Sequence, residues 1–108
     1  MTDIEITKRC AEKMGVIYSE FDGRLHIAEM SDAPGEKYNP LHDDAQAMAL
    51  LVYLMSSGHR SVIENNAMDC ATYGKRPIMS VTGMPIYDVS TAEKMRRAIC
   101  ESVAKLPD

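Results

Sequence analysis

Between Tyr38 and Ser57 the chain carries its strongest constraint on folding: a proline-broken approach, an acidic cap, and then a helix with almost no polar side. Asn39-Pro40 interrupts what precedes it, because the proline ring disfavours the α region for the residue before it. His42 or Asp43 then stands at the N-cap. Asp44 falls in the first turn, where a carboxylate accepts from unpaired backbone N–H groups and opposes the positive end of the helix dipole. The helix predicted from about Asp43 to Ser57, with Gly58 behind it, places Ala45, Met48, Ala49, Leu51, Val52 and Met55 on one broad face, which Leu50, Tyr53 and Leu54 widen. A helix apolar around most of its circumference is covered on more than one side. Either a sheet and other helices sandwich it or another subunit covers half of it, and the sandwich is the arrangement expected.

The flanking segments supply what would cover it. Thr2-Asp3-Ile4-Glu5 has the form of a capping box and opens a first helix. That helix turns Ile4, Cys10, Ala11 and Met14 inward and stops at Gly15 as its C′ residue. Val16 to Phe21, Asp22-Gly23 and Arg24 to Ala28 read as a β-hairpin, since Asp-Gly readily takes the positive φ angles of tight turns. Ser31-Asp32-Ala33-Pro34-Gly35 has turn chemistry, so a surface loop is expected up to Asn39. Downstream, Ser61 to Glu64, Cys70 to Tyr73, Ile78 to Thr82 and Ile86 to Val89 read as short strands, with Pro77 and Pro85 at strand starts or edges because they cannot donate to a ladder. Ser90-Thr91-Ala92-Glu93 reads as a second capping box. It opens a last helix carrying Met95, Ala98, Ile99, Ser102, Val103 and Leu106 at helical spacing up to Pro107. The expectation is a single α+β domain over residues 1–108, in which an antiparallel sheet of five or six short strands packs with three helices as an α/β/α sandwich.

Charge and cysteine usage narrow the function classes. A formal charge of −4 argues against a nucleic-acid surface, which needs clustered Lys and Arg to displace counterions from phosphates. The basic groups Lys75-Arg76 and Lys94 with Arg96-Arg97 are short and read as solvated helix or turn faces. Cys10, Cys70 and Cys100 are odd in number and widely spaced, so neither a disulfide framework nor a CxxC motif is present; Cys10 and Cys100 read as core residues in a reducing compartment. The N-terminus lacks the basic and apolar regions of a signal peptide. The apolar run from Ala47 to Met55 is about half of what a membrane span needs. No membrane association is expected.

Reactive constellations are sparse. His42-Asp43 shares a dipeptide with HD-type phosphohydrolases, but His26 and His59 do not complete a helical ligand pair, so no metal site is expected. There is no GxSxG elbow, no Cys-His signature and no glycine-rich phosphate loop. No catalytic, cofactor-binding or metal-ligating residue is assigned, and the chain does not read as an enzyme. Of nine Met residues, Met14, Met48, Met55 and Met95 fall on predicted core faces. Met30, Met68 and Met84, in loops or at strand ends, and Tyr38, Tyr73 and Tyr87, near exposed rims, are the candidate protein-interface residues.

The stretch Tyr38-Asn39-Pro40-Leu41-His42-Asp43-Asp44-Ala45-Gln46-Ala47-Met48-Ala49-Leu50 resembles the motif of the phage ABA sandwich domain family of small phage and prophage proteins, and helices like Thr2–Gly15 and Arg97–Ala104 recur in that group. The resemblance implies a compact α/β sandwich working in a host bacterial cytoplasm, with no established activity and no catalytic residues to carry over. In that setting the expected role is an accessory protein that binds a host or phage protein, plausibly inhibiting a host-defence complex. The alternatives are a binding module for a small ligand such as a nucleotide signal, which needs Arg or Lys in a polar pocket, and, less favoured, a small hydrolase. The apolar second helix also admits a homodimer.

Overall fold

The computed structural model describes residues 2–21, 23–27, 37–65 and 77–107. Helix α1 spans Asp3–Met14, strands β1 and β2 Tyr18–Phe21 and Arg24–Ile27, β3 Lys37–Tyr38, α2 Asp44–Ser56, β4 Ser61–Asn65, β5 Pro77–Val81, β6 Tyr87–Asp88 and α3 Ala92–Ala104. The α+β expectation holds, but the single sheet of five or six strands does not. Among the described residues, two separate antiparallel three-stranded sheets form instead, in the orders β1-β2-β3 and β4-β5-β6. They belong to different helices: β2 packs against α1, while β5 and β6 pack against α3. The two-residue strand β3 replaces the end of the expected loop, with Leu25 opposite Tyr38 and His26 opposite Lys37. The strand expected from Cys70 to Tyr73 lies outside the described residues.

Local signals account for the element ends. Thr2 and Glu5 form both bonds of the capping box, at 3.3 and 3.2 Å. The helix closes on Gly15, whose φ of 69° is accessible without the steric penalty a Cβ would bring. At α3 the cap is displaced by one residue from the expected box. Thr91, not Ser90, is the N-cap, its Oγ1 accepting from Lys94 N at 3.1 Å, so Glu93 is one place short of reaching back. Ser90 N instead donates to Asp88 Oδ1 at 2.9 Å, turning the chain out of β6.

Helix α3 is the centre of the molecule. Ala98, Ile99, Cys100, Ser102, Val103 and Ala104 are all buried on it, and α1, α2, β5 and β6 pack around it. One apolar cluster runs through Ile6 and Cys10 of α1, Leu25, Tyr38, Leu50 and Leu54 of α2, Met79, Val81 and the α3 face. Cys10 and Cys100 sit fully buried inside it, Cys10 Sγ donating to Cys100 O at 3.3 Å. This is the core role expected of both thiols.

Candidate protein-interaction site

Helix α2 is built by a set of backbone clamps upstream of its first turn. Asp43 is the N-cap, and its Oδ1 accepts from Gln46 N at 2.9 Å. The Gln46 side chain then folds back over the preceding strand, with Oε1 accepting from Asn39 N at 2.7 Å and Nε2 donating to Lys37 O at 2.8 Å. Pro40 and Leu41 are buried beneath this turn. Arg96 of α3 closes it from below, Nε donating to Leu41 O at 3.0 Å and Nη1 meeting Asp44 Oδ1 at 2.6 Å. With His42 N donating to Asn39 O at 3.0 Å, each residue of the Asn39–Asp44 motif has a turn, cap or packing role. Arg96 is not the solvated cation its neighbourhood in sequence suggested. Lys94 pairs with Asp88 at 3.3 Å, and Arg97 with Asp3 at 2.9 Å and Glu101 at 3.6 Å, so these α3 cations are engaged within the molecule.

Once held there, α2 buries only a narrow stripe. Ala47, Leu50 and Leu54 are inside, while Leu51 and Tyr53 are half-buried at its margins. Met48, Val52 and Met55 are 52, 59 and 56 % exposed, contrary to their expected core positions. Ala45 and Ala49 are exposed beside them. The spacing Ala45, Met48, Val52, Met55 is 3-4-3, a second helical seam about 150° around the helix from the buried stripe, by the 3.6-residue turn. Between Ala45 and Ser56 the helix carries no charged residue. The sandwich expected for α2 is therefore corrected: among the described residues, the protein's own elements cover one side and leave the apolar other side exposed.

The interface candidates named from sequence lie elsewhere. Tyr38 is 6 % exposed, a core residue of β3 paired with Leu25 rather than part of a rim, and burial pushes its phenol pKa well above the ordinary value. Met84 and Tyr87 are half-buried against the core, with the Tyr87 hydroxyl accepting from Lys105 Nζ at 3.2 Å. Met30, Met68 and Tyr73 fall outside the described residues. None of the three described candidates is on the apolar α2 face, whose signal in the sequence was the second 3-4-3 stripe.

Cavities lie beside two of the helices among the described residues. One, of about 280 Å³, lies between α2 and the start of α3, lined by Ala47, Met48, Ala92, Met95 and Ile99 with the Asp44–Arg96 pair. The other, of about 260 Å³, lies where the first turn of α1 meets β2 and β3; Thr7, Arg24, Lys37 and Asn39 line it, together with Asp3. Among the described residues no three of His, Cys, Asp or Glu stand close enough to hold a metal ion. No described helix is long and apolar enough to cross a membrane. Compared with family models, characterised proteins and solved structures, the chain matches none.

Proposed function

We propose that this protein acts by binding another protein chain through the outer face of α2, without catalysing a reaction. The observation that carries the reading is the charge-free seam of Ala45, Met48, Val52 and Met55 on a helix whose opposite side is already packed. Burying such a seam removes apolar area from water at roughly 25 cal/mol per Å², and an exposed contiguous patch of this kind marks a contact surface. Its Met residues are unbranched and polarizable, suited to an adaptable contact. The resemblance of Tyr38–Leu50 to the phage ABA sandwich family supports the narrower proposal: an accessory protein in a phage-infected bacterial cytoplasm that binds and inhibits a host complex, with defence complexes the leading candidates.

The test is affinity capture from a bacterial lysate with the tagged protein and its Val52→Glu variant side by side. The reading expects a protein held at near-stoichiometric amount by the unsubstituted chain and lost from the variant. Equal capture by both would contradict it, and capture of no other protein would remove the host-complex proposal and leave a second copy of this chain as the only protein partner for the face.

A second reading, a small anionic ligand, draws on the cavity beside α1, where Arg24 and Lys37 both line the wall. Asp3 weakens it there by adding a carboxylate, although Arg97 engages that group. Calorimetric titration with nucleoside phosphates separates the two readings, since binding lost in an Arg24→Ala, Lys37→Ala double variant would favour the ligand.

A further inference from the structure

We infer that the occupant of the outer α2 face is a second copy of this chain, docked antiparallel across a two-fold axis at Val52. This rests on the reading of that face as a protein contact and names the partner. Two observations converge on it, and the area available limits its strength.

The seam is self-complementary. With the axis at Val52, Val52 faces the partner's Val52 and Met48 of one copy falls within one residue of the partner's Met55, as an isologous interface allows. Ala45 and Ala49, small and exposed, let the two helix backbones approach.

The ends are complementary in charge. The N-terminal end of α2 carries Asp43 and Asp44, with the Asp44 side chain 83 % exposed even while it meets Arg96. The C-terminal end leads through Gly58 into His59 and the exposed Arg60. Antiparallel docking brings each acidic end to the partner's Arg60, and opposes the two helix dipoles favourably. Parallel docking would set Asp44 against the partner's Asp44 and is disfavoured.

The area of the seam alone is small for a dimer. A helix of 13 residues is about 20 Å long, and half of its side-chain cylinder presents on the order of 350 Å². A stable interface needs roughly 800 Å² per partner. The difference is partly met by the cavity beside Met48, walled by Met95 and Ile99, which lies where the partner's Met55 arrives. The seam and cavity together fall short of an obligate interface, so the dimer should dissociate on dilution, which concentrations from about 1 to 100 µM would sample.

Sedimentation equilibrium across that range tests this directly. The unsubstituted chain should shift from monomer to dimer, and Val52→Glu should weaken association at least tenfold, because two carboxylates meet at the axis. Val52 is exposed, so the variant should keep its circular dichroism spectrum and melting temperature at low concentration. Orientation is read by oxidation of one added cysteine at a time in a Cys70→Ser background, in which the remaining Cys10 and Cys100 are buried. Val52→Cys should form a disulfide-linked dimer. Met48→Cys should not, because in the antiparallel pair its two copies stand about 12 Å apart along the axis. A chain that stays monomeric at 100 µM, or a dimer insensitive to Val52→Glu, would overturn the inference. A monomer that still captures another protein through Val52 would overturn this inference while leaving the protein-binding reading standing. A Met48→Cys cross-link would overturn the antiparallel arrangement.

Discussion

Arg96 joins three segments that are distant in sequence: the Leu41 carbonyl of the loop before α2, the Asp44 carboxylate in its first turn, and α3 itself. Its side chain is only 19 % exposed, so both bonds sit in partial shelter from water. Arg96→Ala should therefore lower stability by about 1–2 kcal/mol, the range for charge-assisted bonds discounted for the exposed Asp44, read as a shift in the denaturant midpoint with an unchanged slope. Arg96→Lys should recover only part, because an ammonium lacks the planar fork that serves two acceptors at once. The second residue-scale consequence concerns pH. The Cys10 thiol beside Cys100 and burial push the Cys100 thiol well above its ordinary 9.0, and burial pushes the Tyr38 phenol above its ordinary 10.0. Folded-state values raised in this way contribute stability that is full below the unfolded values and is lost as pH rises past them. Melting temperature should hold steady from pH 7 to about 8 and fall beyond about 9, and the fall should be shallower in Tyr38→Phe. An equal alkaline slope in that variant would show that the phenol is not the buried neutral group described.

At the scale of elements, α2 has two apolar stripes and only its neighbours decide which is inside. Leu54→Ala should cost about 2–5 kcal/mol, as a truncation in a closed core does, whereas Val52→Ala at low protein concentration should change stability by no more than about 0.5 kcal/mol. Similar losses at both positions would mean that both stripes are covered within one chain. Sequence periodicity located this helix well: Asn39-Pro40 and the Asp43 cap are where they were expected, because caps and breaks are local chemistry. It could not orient the helix, since Ala47-Leu50-Leu54 and Met48-Val52-Met55 are equally apolar. The same ambiguity explains why α3 rather than α2 is central. Ser102 and Cys100 look half-polar in sequence, yet Ser102 Oγ donates to Ala98 O at 2.8 Å and so enters the core satisfied. Strand β3 was hidden by its length, two residues being too few for any alternation to register. The division into two sheets was equally hidden, because pairing between distant strands has no local signature.

For the molecule as a whole, the arrangement leaves its most apolar helix half-covered while its basic α3 residues are engaged internally, which moves the candidate contact surface from loops and rims to the outer side of α2. The interface candidates chosen from sequence rested on residue type and loop position. Tyr38 shows why that fails, since an aromatic beside a proline turn can equally be buried in the core. Whether the outer face is free or shared is best read on its own side chains. Oxidative footprinting of the methionines with dilute peroxide, at about 1 µM and at about 100 µM protein, measures this directly, because oxidation follows exposure. The account predicts that Met48 and Met55 oxidise rapidly at the lower concentration and become several-fold slower at the higher, while fully buried Met79 stays slow at both. Rates for Met48 and Met55 that are the same at both concentrations would contradict self-association through α2, and rates as slow as that of Met79 even at 1 µM would contradict the exposed face itself.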